Sequence, residues 1–126
     1  MKRFKNAPLL GFDGEKIKVP IKKPGTENEV MIGEDFKSIL QCLVLNAPPP
    51  TFKTQNDSIQ AMRLMQALDH LQDGFIEIEE GVHDWLKEKA VEVTPQIFRI
   101  NGNIVYEHIR EGFEKPNQPK EKGEKS

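Results

Sequence analysis

The chain has few of the residues on which most small-protein chemistries depend. Its 126 residues include one cysteine, one tryptophan, one tyrosine and three histidines. The single cysteine, Cys42, excludes an internal disulfide and is typical of a protein of the reducing cytoplasm. Because Cys42 lies within an apolar helical pattern, we expect it to be a small buried side chain.

Long apolar runs are also missing. No stretch approaches the roughly 18 apolar residues of a membrane span, and no signal-peptide core follows the charged residues 1–6. We therefore expect a cytoplasmic protein that makes no membrane contact. Apolar residues make up 37% and charged residues 30% of the chain, which is typical of one globular domain of this length.

The sequence contains no recognisable catalytic or cofactor motif. His70, His83 and His108 are not spaced three or four residues from one another or from the cysteine, so the pattern of a zinc site is absent. We expect these histidines to be at the surface or partly buried. A glycine-rich phosphate loop, a Gly-x-Ser-x-Gly motif and a cysteine–histidine pair are also missing. The sequence therefore predicts a protein that is not an enzyme and holds no cofactor.

Charge is distributed unevenly along the chain. The net charge is −2, yet residues 1–23 carry +5, residues 24–114 carry −9 and residues 115–126 carry +2. An acidic middle argues against a nucleic-acid-binding core. One alternative remains, in which a basic N-terminal arm contacts phosphates. The cations of that arm are Lys2, Arg3, Lys5, Lys22 and Lys23.

The composition divides the chain into three parts. Residues 1–7 are predicted to form a basic flexible arm, and residues 8–113 a single α+β domain. Residues 114–126 are rich in lysine, glutamate and proline and contain nothing to bury, so we expect a disordered charged tail.

The domain is predicted to begin with a β-hairpin. Pro8–Phe12 and Glu15–Val19 flank Asp13–Gly14, a dipeptide that favours a tight turn because both positions tolerate positive φ. Phe75–Ile78 alternates apolar and polar residues, which makes it a candidate third strand.

Four or five helices are expected to pack on these strands. Glu34–Leu45 carries apolar residues at three- and four-residue steps, and a second helix begins near Asp57 or Ser58, either of which can cap it. A third helix runs from Glu79 or Glu80 to Val91.

Residues 95–106 allow two structures. Thr94–Pro95 is typical of a helix start, whereas Asn101–Gly102 between apolar runs is equally typical of a hairpin turn. We favour a short helix, a turn at Asn101–Gly102 and a last helix over Asn103–Gly112.

The segment from residue 69 to residue 80 resembles part of an EF-hand calcium loop. Asp69, Asp73, Glu77 and Glu80 stand at ligand positions and Gly74 at the turn position. However, a leucine replaces the third-position ligand, no second loop exists, and the following apolar stripe starts one residue late. We interpret the segment as a structural hinge and keep a calcium-binding module as an alternative.

Several large side chains near the C-terminal end exceed what a small core requires. Trp85, Tyr106, Ile109 and Phe113 are our candidates for contacts with a partner, because aromatic anchors dominate protein interfaces. The partner would be another protein or a second copy of the chain.

The order of these features resembles the small accessory proteins of tailed bacteriophages and prophages. The resemblance rests on the Phe12–Gly14 turn, the helix sequence Ser58–Leu68 and the run Phe75–Val91, and it spans residues 8–113. It implies a virus-encoded protein that acts in the host cytoplasm by binding another protein. It implies no catalytic residue.

Overall fold

The computed structural model describes residues 1–22, 30–48, 51–71 and 73–114. Within these ranges the chain has the α+β architecture that the sequence predicted, with short antiparallel strands packed beside helices. The strands are β1 (Lys2–Lys5), β2 (Val19–Lys22), β3 (Val30–Gly33) and β4 (Phe75–Ile78). The helices are α1 (Phe36–Leu45), α2 (Gln55–Leu68), α3 (Glu80–Phe98) and α4 (Gly102–Glu111), with a 3₁₀ turn over Arg99–Asn101.

The four strands form two separate two-stranded sheets. β1 pairs with β4, with Arg3 opposite Glu77, and β2 pairs with β3, with Pro20 opposite Ile32. The candidate strand Phe75–Ile78 is therefore confirmed as a strand, but it does not join the predicted hairpin. Its partner, however, lies in residues 1–7, which the sequence analysis assigned to a flexible arm. That assignment was wrong for Lys2–Lys5, because Phe4 is fully buried and anchors the strand in the core.

The predicted hairpin over residues 8–19 is present only as a chain reversal. Gly14 occupies the turn with φ +80°, and a single isolated bridge joins Leu10 to Lys16. Regular strands do not form here because Leu10 and Phe12 stay exposed, so this segment offers no continuous apolar face to bury.

The helices occupy three continuous stretches in the described residues, not four or five separate ones. The third stretch comprises α3 and α4, joined directly by the 3₁₀ turn, where Arg99 adopts φ +56° and reverses the chain. Residues 95–106 are thus helical on both sides of a tight turn, and the hairpin alternative is excluded. The predicted short helix starting at Thr94–Pro95 is instead the last turn and a half of α3, which runs through Pro95.

The core lies where α1, α2, α3 and α4 meet the inner face of the β1–β4 sheet. Ile76 and Ile78 point from β4 into it, and Cys42 is buried in it as predicted. Its fully buried large side chains include Phe4, Phe36, Ile39, Leu40, Leu43, Leu64, Leu68, Leu86 and Ile109.

None of the helices in the described part of the chain has the length and apolar content needed to cross a membrane. The tail predicted over residues 114–126 lies outside the described residues except for Glu114, whose N–H donates to the carbonyl of Arg3 at 2.7 Å.

Candidate functional site

Two of the predicted partner-binding residues belong to the core. Ile109 is fully buried and Trp85 is 5% exposed, so neither offers a surface to a partner. The indole Nε1 of Trp85 donates to Oδ1 of Asp57 at 3.0 Å. Trp85 therefore holds α3 against the start of α2.

Asp57 is the centre of a buried polar network. Its Oδ1 also lies 3.3 Å from Nζ of Lys89, and its Oδ2 accepts the backbone N–H groups of Lys53 and Thr54. The hydrogen bond from Trp85, followed by these backbone bonds, holds the pKa of Asp57 well below its ordinary value of 3.8. Every carboxylate oxygen is satisfied, so the network is structural and leaves no group free for chemistry.

The other two candidates, Tyr106 and Phe113, are half-buried. Tyr106 borders a hollow of about 300 Å³ between α3 and α4, together with Val91 and Pro95. Phe113 packs edge-to-face against His83 at a ring-centroid distance of 5.6 Å, and Nζ of Lys2 lies 4.2 Å from the centre of its ring. These contacts tie Phe113 to the fold.

The residues of the EF-hand-like segment are not brought together around a common point. Asp69 caps the end of α2, Glu77 lies in β4 beside Arg3 at 3.8 Å, and Glu80 opens α3. Asp73 adopts φ +54° in the turn between α2 and β4. Within the described ranges, no group of three or more histidine, cysteine, aspartate or glutamate side chains has the geometry to hold a metal ion.

The basic residues near the N-terminus already have acidic neighbours. Nζ of Lys2 lies 3.7 Å from Glu80, and Arg3 lies within 3.8 Å of both Glu77 and Glu114. The N-terminal ammonium, 3.1 Å from Glu80, and then Lys2 hold the pKa of that carboxyl below its ordinary value. Lys5 is exposed, Lys22 ends β2, and Lys23 lies outside the described residues.

A different site emerges between α2 and β4. A cleft of about 420 Å³ separates the C-terminal half of the helix from the strand, within the range of about 300–1,000 Å³ that is typical of ligand sites. We call it the α2–β4 cleft. It is lined by Arg63, Gln66 and Ala67 from α2 and His70 just after its end, by Glu77, Ile78 and Glu79 from β4 and its end, and by Val82 from α3.

The floor of the α2–β4 cleft is apolar and its walls carry opposite charges. Ile78 and Val82 are buried beneath it. Arg63 and His70 stand on the helix side, whereas Glu77 and Glu79 stand on the strand side. An occupant would thus meet an apolar base between a basic and an acidic wall.

The cleft lies against an open edge of the sheet. No residue of β1 lines it among the described residues, and β4 contributes Glu77 and Ile78, whose side chains point to opposite faces of the sheet. The cleft therefore adjoins the C-terminal end of the edge of β4 that β1 leaves uncovered. The direction of the backbone groups follows from Arg3, whose carbonyl accepts from Glu114 on the far side of β1. Because a strand residue directs its N–H and C=O to the same side, Arg3 and Glu77 form a non-hydrogen-bonded pair. The N–H and C=O of Glu77 therefore point away from β1, towards the open edge.

A second hydrogen bond gives the same result for Phe75. The N–H of Asn6 donates to the carbonyl of Gly74 at 2.9 Å, so Gly74 faces β1. Alternation along the strand then turns the peptide groups of Phe75 outward with those of Glu77. In the part of the chain that the structure describes, these outward groups make no hydrogen bond.

Comparison with protein-family models, with curated proteins and with solved structures finds no match. The α2–β4 cleft was missed by sequence reasoning, although the alternation of Phe75–Ile78 had identified its strand. The missing information was the identity of the strand's neighbour. Only the pairing with β1 shows which edge of β4 stays open.

Proposed function

We propose that this protein is a non-enzymatic protein-interaction module whose binding surface is the α2–β4 cleft. The observation that carries the proposal is the open edge of β4 bordering a cleft with an apolar floor. Sheet edges with unpaired peptide groups readily accept another chain, and proteins normally cover or charge them. Here the edge carries Glu77 and Glu79 but stays accessible from the cleft.

The binding surface differs from the one that the sequence favoured. Trp85 and Ile109 act inside the fold, so substitution at either residue would disturb the core rather than a partner contact. Residues on the cleft wall are better probes. Ala67 on α2 is half-buried at the cleft surface, and a long side chain there would fill the space.

A peptide-display selection with a matched pair of variants tests the proposal. A random peptide library selected on the wild-type protein should yield binders, and Ala67→Arg should weaken them by about tenfold or more because its side chain occupies the cleft. Met62→Arg, on an exposed site of the same helix outside the cleft, should bind as the wild type does. Thermal melting of both variants checks that the fold survives.

Two results would contradict the proposal. One is a selection that enriches no peptide on the wild-type protein. The other is a set of binders that Ala67→Arg and Met62→Arg affect equally, since binding would then not occur at the cleft.

We also propose, from the resemblance over residues 8–113, that the protein serves as an accessory factor of a tailed bacteriophage in the host cytoplasm. The position of its gene tests this directly. A location among phage genes is the expected result, and a location among bacterial housekeeping genes with no phage gene nearby would contradict it.

A further inference from the structure

We infer that the partner binds the α2–β4 cleft as an extended strand that pairs antiparallel with the open edge of β4. The inference rests on the proposed binding function and specifies its mode and the chemistry of the partner. From its N-terminal end, the partner segment consists of a basic residue, an apolar residue and a β-branched or aromatic residue.

The backbone of β4 provides the first part of the argument. Phe75 and Glu77 each turn one N–H and one C=O towards the open edge. A strand added antiparallel can align one residue with Glu77 and another, two positions later, with Phe75. Each aligned pair exchanges two hydrogen bonds, so three residues of an extended partner make four. This is the mode of recognition known as β-strand addition.

The side chains of β4 determine which partner residues fit. On the solvent face, Glu77 favours a cation directly opposite, and Phe75 favours a β-branched or aromatic residue. Arg3 already flanks both on the β1 side, 3.8 Å from Glu77 and with its guanidinium 3.9 Å from the Phe75 ring centre. A cation on the other side of Glu77 would complete a row of alternating charge across three strands.

The inner face sets the middle position. The partner residue opposite Ile76 points to the same face as Ile76 and Ile78, both of which are buried. There it meets the apolar floor of the cleft, formed by Ile78 and Val82, with Ala67 on the helix wall beside it. An apolar side chain fits this position, whereas a charge would lose its hydration.

A second copy of the chain fits the edge less well. Antiparallel pairing of two β4 strands that aligns Glu77 with its own counterpart places two carboxylates directly opposite each other. The register that aligns Glu77 with Phe75 avoids this repulsion but places no cation beside Glu77 on the open-edge side, since Phe75–Ile78 contains none. A separate peptide with a basic residue satisfies both requirements.

Three capped heptapeptides with a common sequence test the inference. The parent carries lysine, valine and valine at its centre, and the second replaces the lysine with glutamate. The third is the parent methylated on the backbone nitrogen of the lysine, whose N–H faces β4. Titration followed by amide resonances should show the parent binding and slower hydrogen exchange at Phe75 and Glu77. The methylated peptide should bind about tenfold more weakly or worse, because a paired N–H is lost.

Two controls isolate the contacts. Methylation of the backbone nitrogen of the first valine, whose N–H points away from β4, should leave the affinity unchanged. The wild type should bind the lysine peptide about two- to fivefold more tightly than the glutamate peptide. Glu77→Lys should bind the glutamate peptide more tightly by a similar factor. Glu88→Lys, an exposed change of equal charge on α3, should keep the wild-type preference.

The results separate this inference from the proposed function. The strand-addition mode is wrong if peptides bind but methylation at the lysine nitrogen has no effect, or if no heptapeptide binds. In both cases the display selection still decides whether the cleft binds proteins. Without peptide, the amide hydrogens of Phe75 and Glu77 could exchange more slowly as the protein concentration is raised. That result would identify a second copy as the occupant and would also overturn the inference.

Discussion

His83 shows how far a single residue departs from its sequence-based expectation. Expected at the surface or partly buried, it is 1% exposed and packs beside Phe4 and Phe113, with ring centroids at 5.8 and 5.6 Å. Its Nε2 lies 2.7 Å from the carbonyl oxygen of Ile109, which makes Nε2–H the donor. Burial in this environment lowers the pKa of His83.

The buried histidines predict a loss of stability in mild acid. Burial lowers the pKa of His83 from 6.5, with Lys87 and Lys2 contributing, and burial also lowers the pKa of His108. The unfolded chain therefore takes up protons first as the pH falls. Stability should be fully present above about pH 6.5 and should decline below it. Urea unfolding between pH 7.5 and 5.5 measures this decline.

Substitution of His83 tests its contribution to the loss of stability in mild acid. His83→Gln removes the titrating group while keeping an amide donor near Ile109, so its unfolding midpoint should depend less on pH than that of the wild type. An equal slope in the wild type and His83→Gln would show that His83 does not contribute.

At the scale of elements, the sequence identified segments better than their ends. α1 and β4 were predicted close to their observed bounds because a clear apolar period marks each of them. The start of α2 was placed at Asp57 or Ser58, yet Thr54 caps the helix, and Asp57 is its third residue. Both side chains can cap, and Thr54 and Asp57 form a reciprocal capping box that the sequence analysis did not recognise.

The end of α3 was misjudged for a different reason. A threonine followed by proline usually begins a helix, but Val93 and Phe98 continue the buried stripe of Leu86 and Ala90. Burial of these side chains offsets the hydrogen bond that Pro95 cannot donate. Local helix propensity does not include the free energy of this burial, which depends on the packing of α4.

The close approach of α4 to α3 yields a prediction at this scale. A methyl group on Gly102 would lie 2.9 Å from Cα of Pro95 and 3.0 Å from its nitrogen, which are backbone atoms and cannot rotate away. Gly102→Ala should lower the free energy of unfolding by about 1–3 kcal/mol. Chemical denaturation of the purified variant measures the change.

Gly81 provides the matched control. It lies in the first turn of α3 with open space around its Cβ position. Gly81→Ala should raise the free energy of unfolding by about 0.5–1 kcal/mol, since alanine favours the helix. If both alanine variants changed stability in the same direction, the proposed contact between Gly102 and α3 would be wrong.

At the scale of the whole molecule, the N-terminal strand is the largest departure from expectation. Lys2–Lys5 contains one apolar residue among three cations, and such a segment gives no strand signal of its own. Its partner β4 lies more than half of the chain away. Pairing between distant segments depends on the assembled core, so it could not be derived from local pattern.

Removing the anchor of that strand should therefore affect the whole fold. Phe4 is fully buried and packs on Phe36 at a ring-centroid distance of 5.2 Å. Phe4→Ala should lower the free energy of unfolding by about 3–5 kcal/mol, the usual loss when a large aromatic side chain is removed from a core. Urea unfolding of the variant gives the value.

The neighbouring residue controls for the position. Lys5 is exposed on the same strand, and Lys5→Ala should change stability by no more than about 0.5 kcal/mol. A loss below about 1 kcal/mol for Phe4→Ala would mean that the strand is a peripheral attachment, as a flexible arm would be.

The pairing of β1 with β4 also sets the order in which the chain can fold. β1 leaves the ribosome well before β4, its hydrogen-bonding partner. Until then Phe4 has no completed core to enter, and the sheet must close a very long loop. The helical hairpin of α3 and α4 joins segments that are adjacent in sequence and can form early. We therefore expect the first residues of the chain to acquire their native contacts among the last.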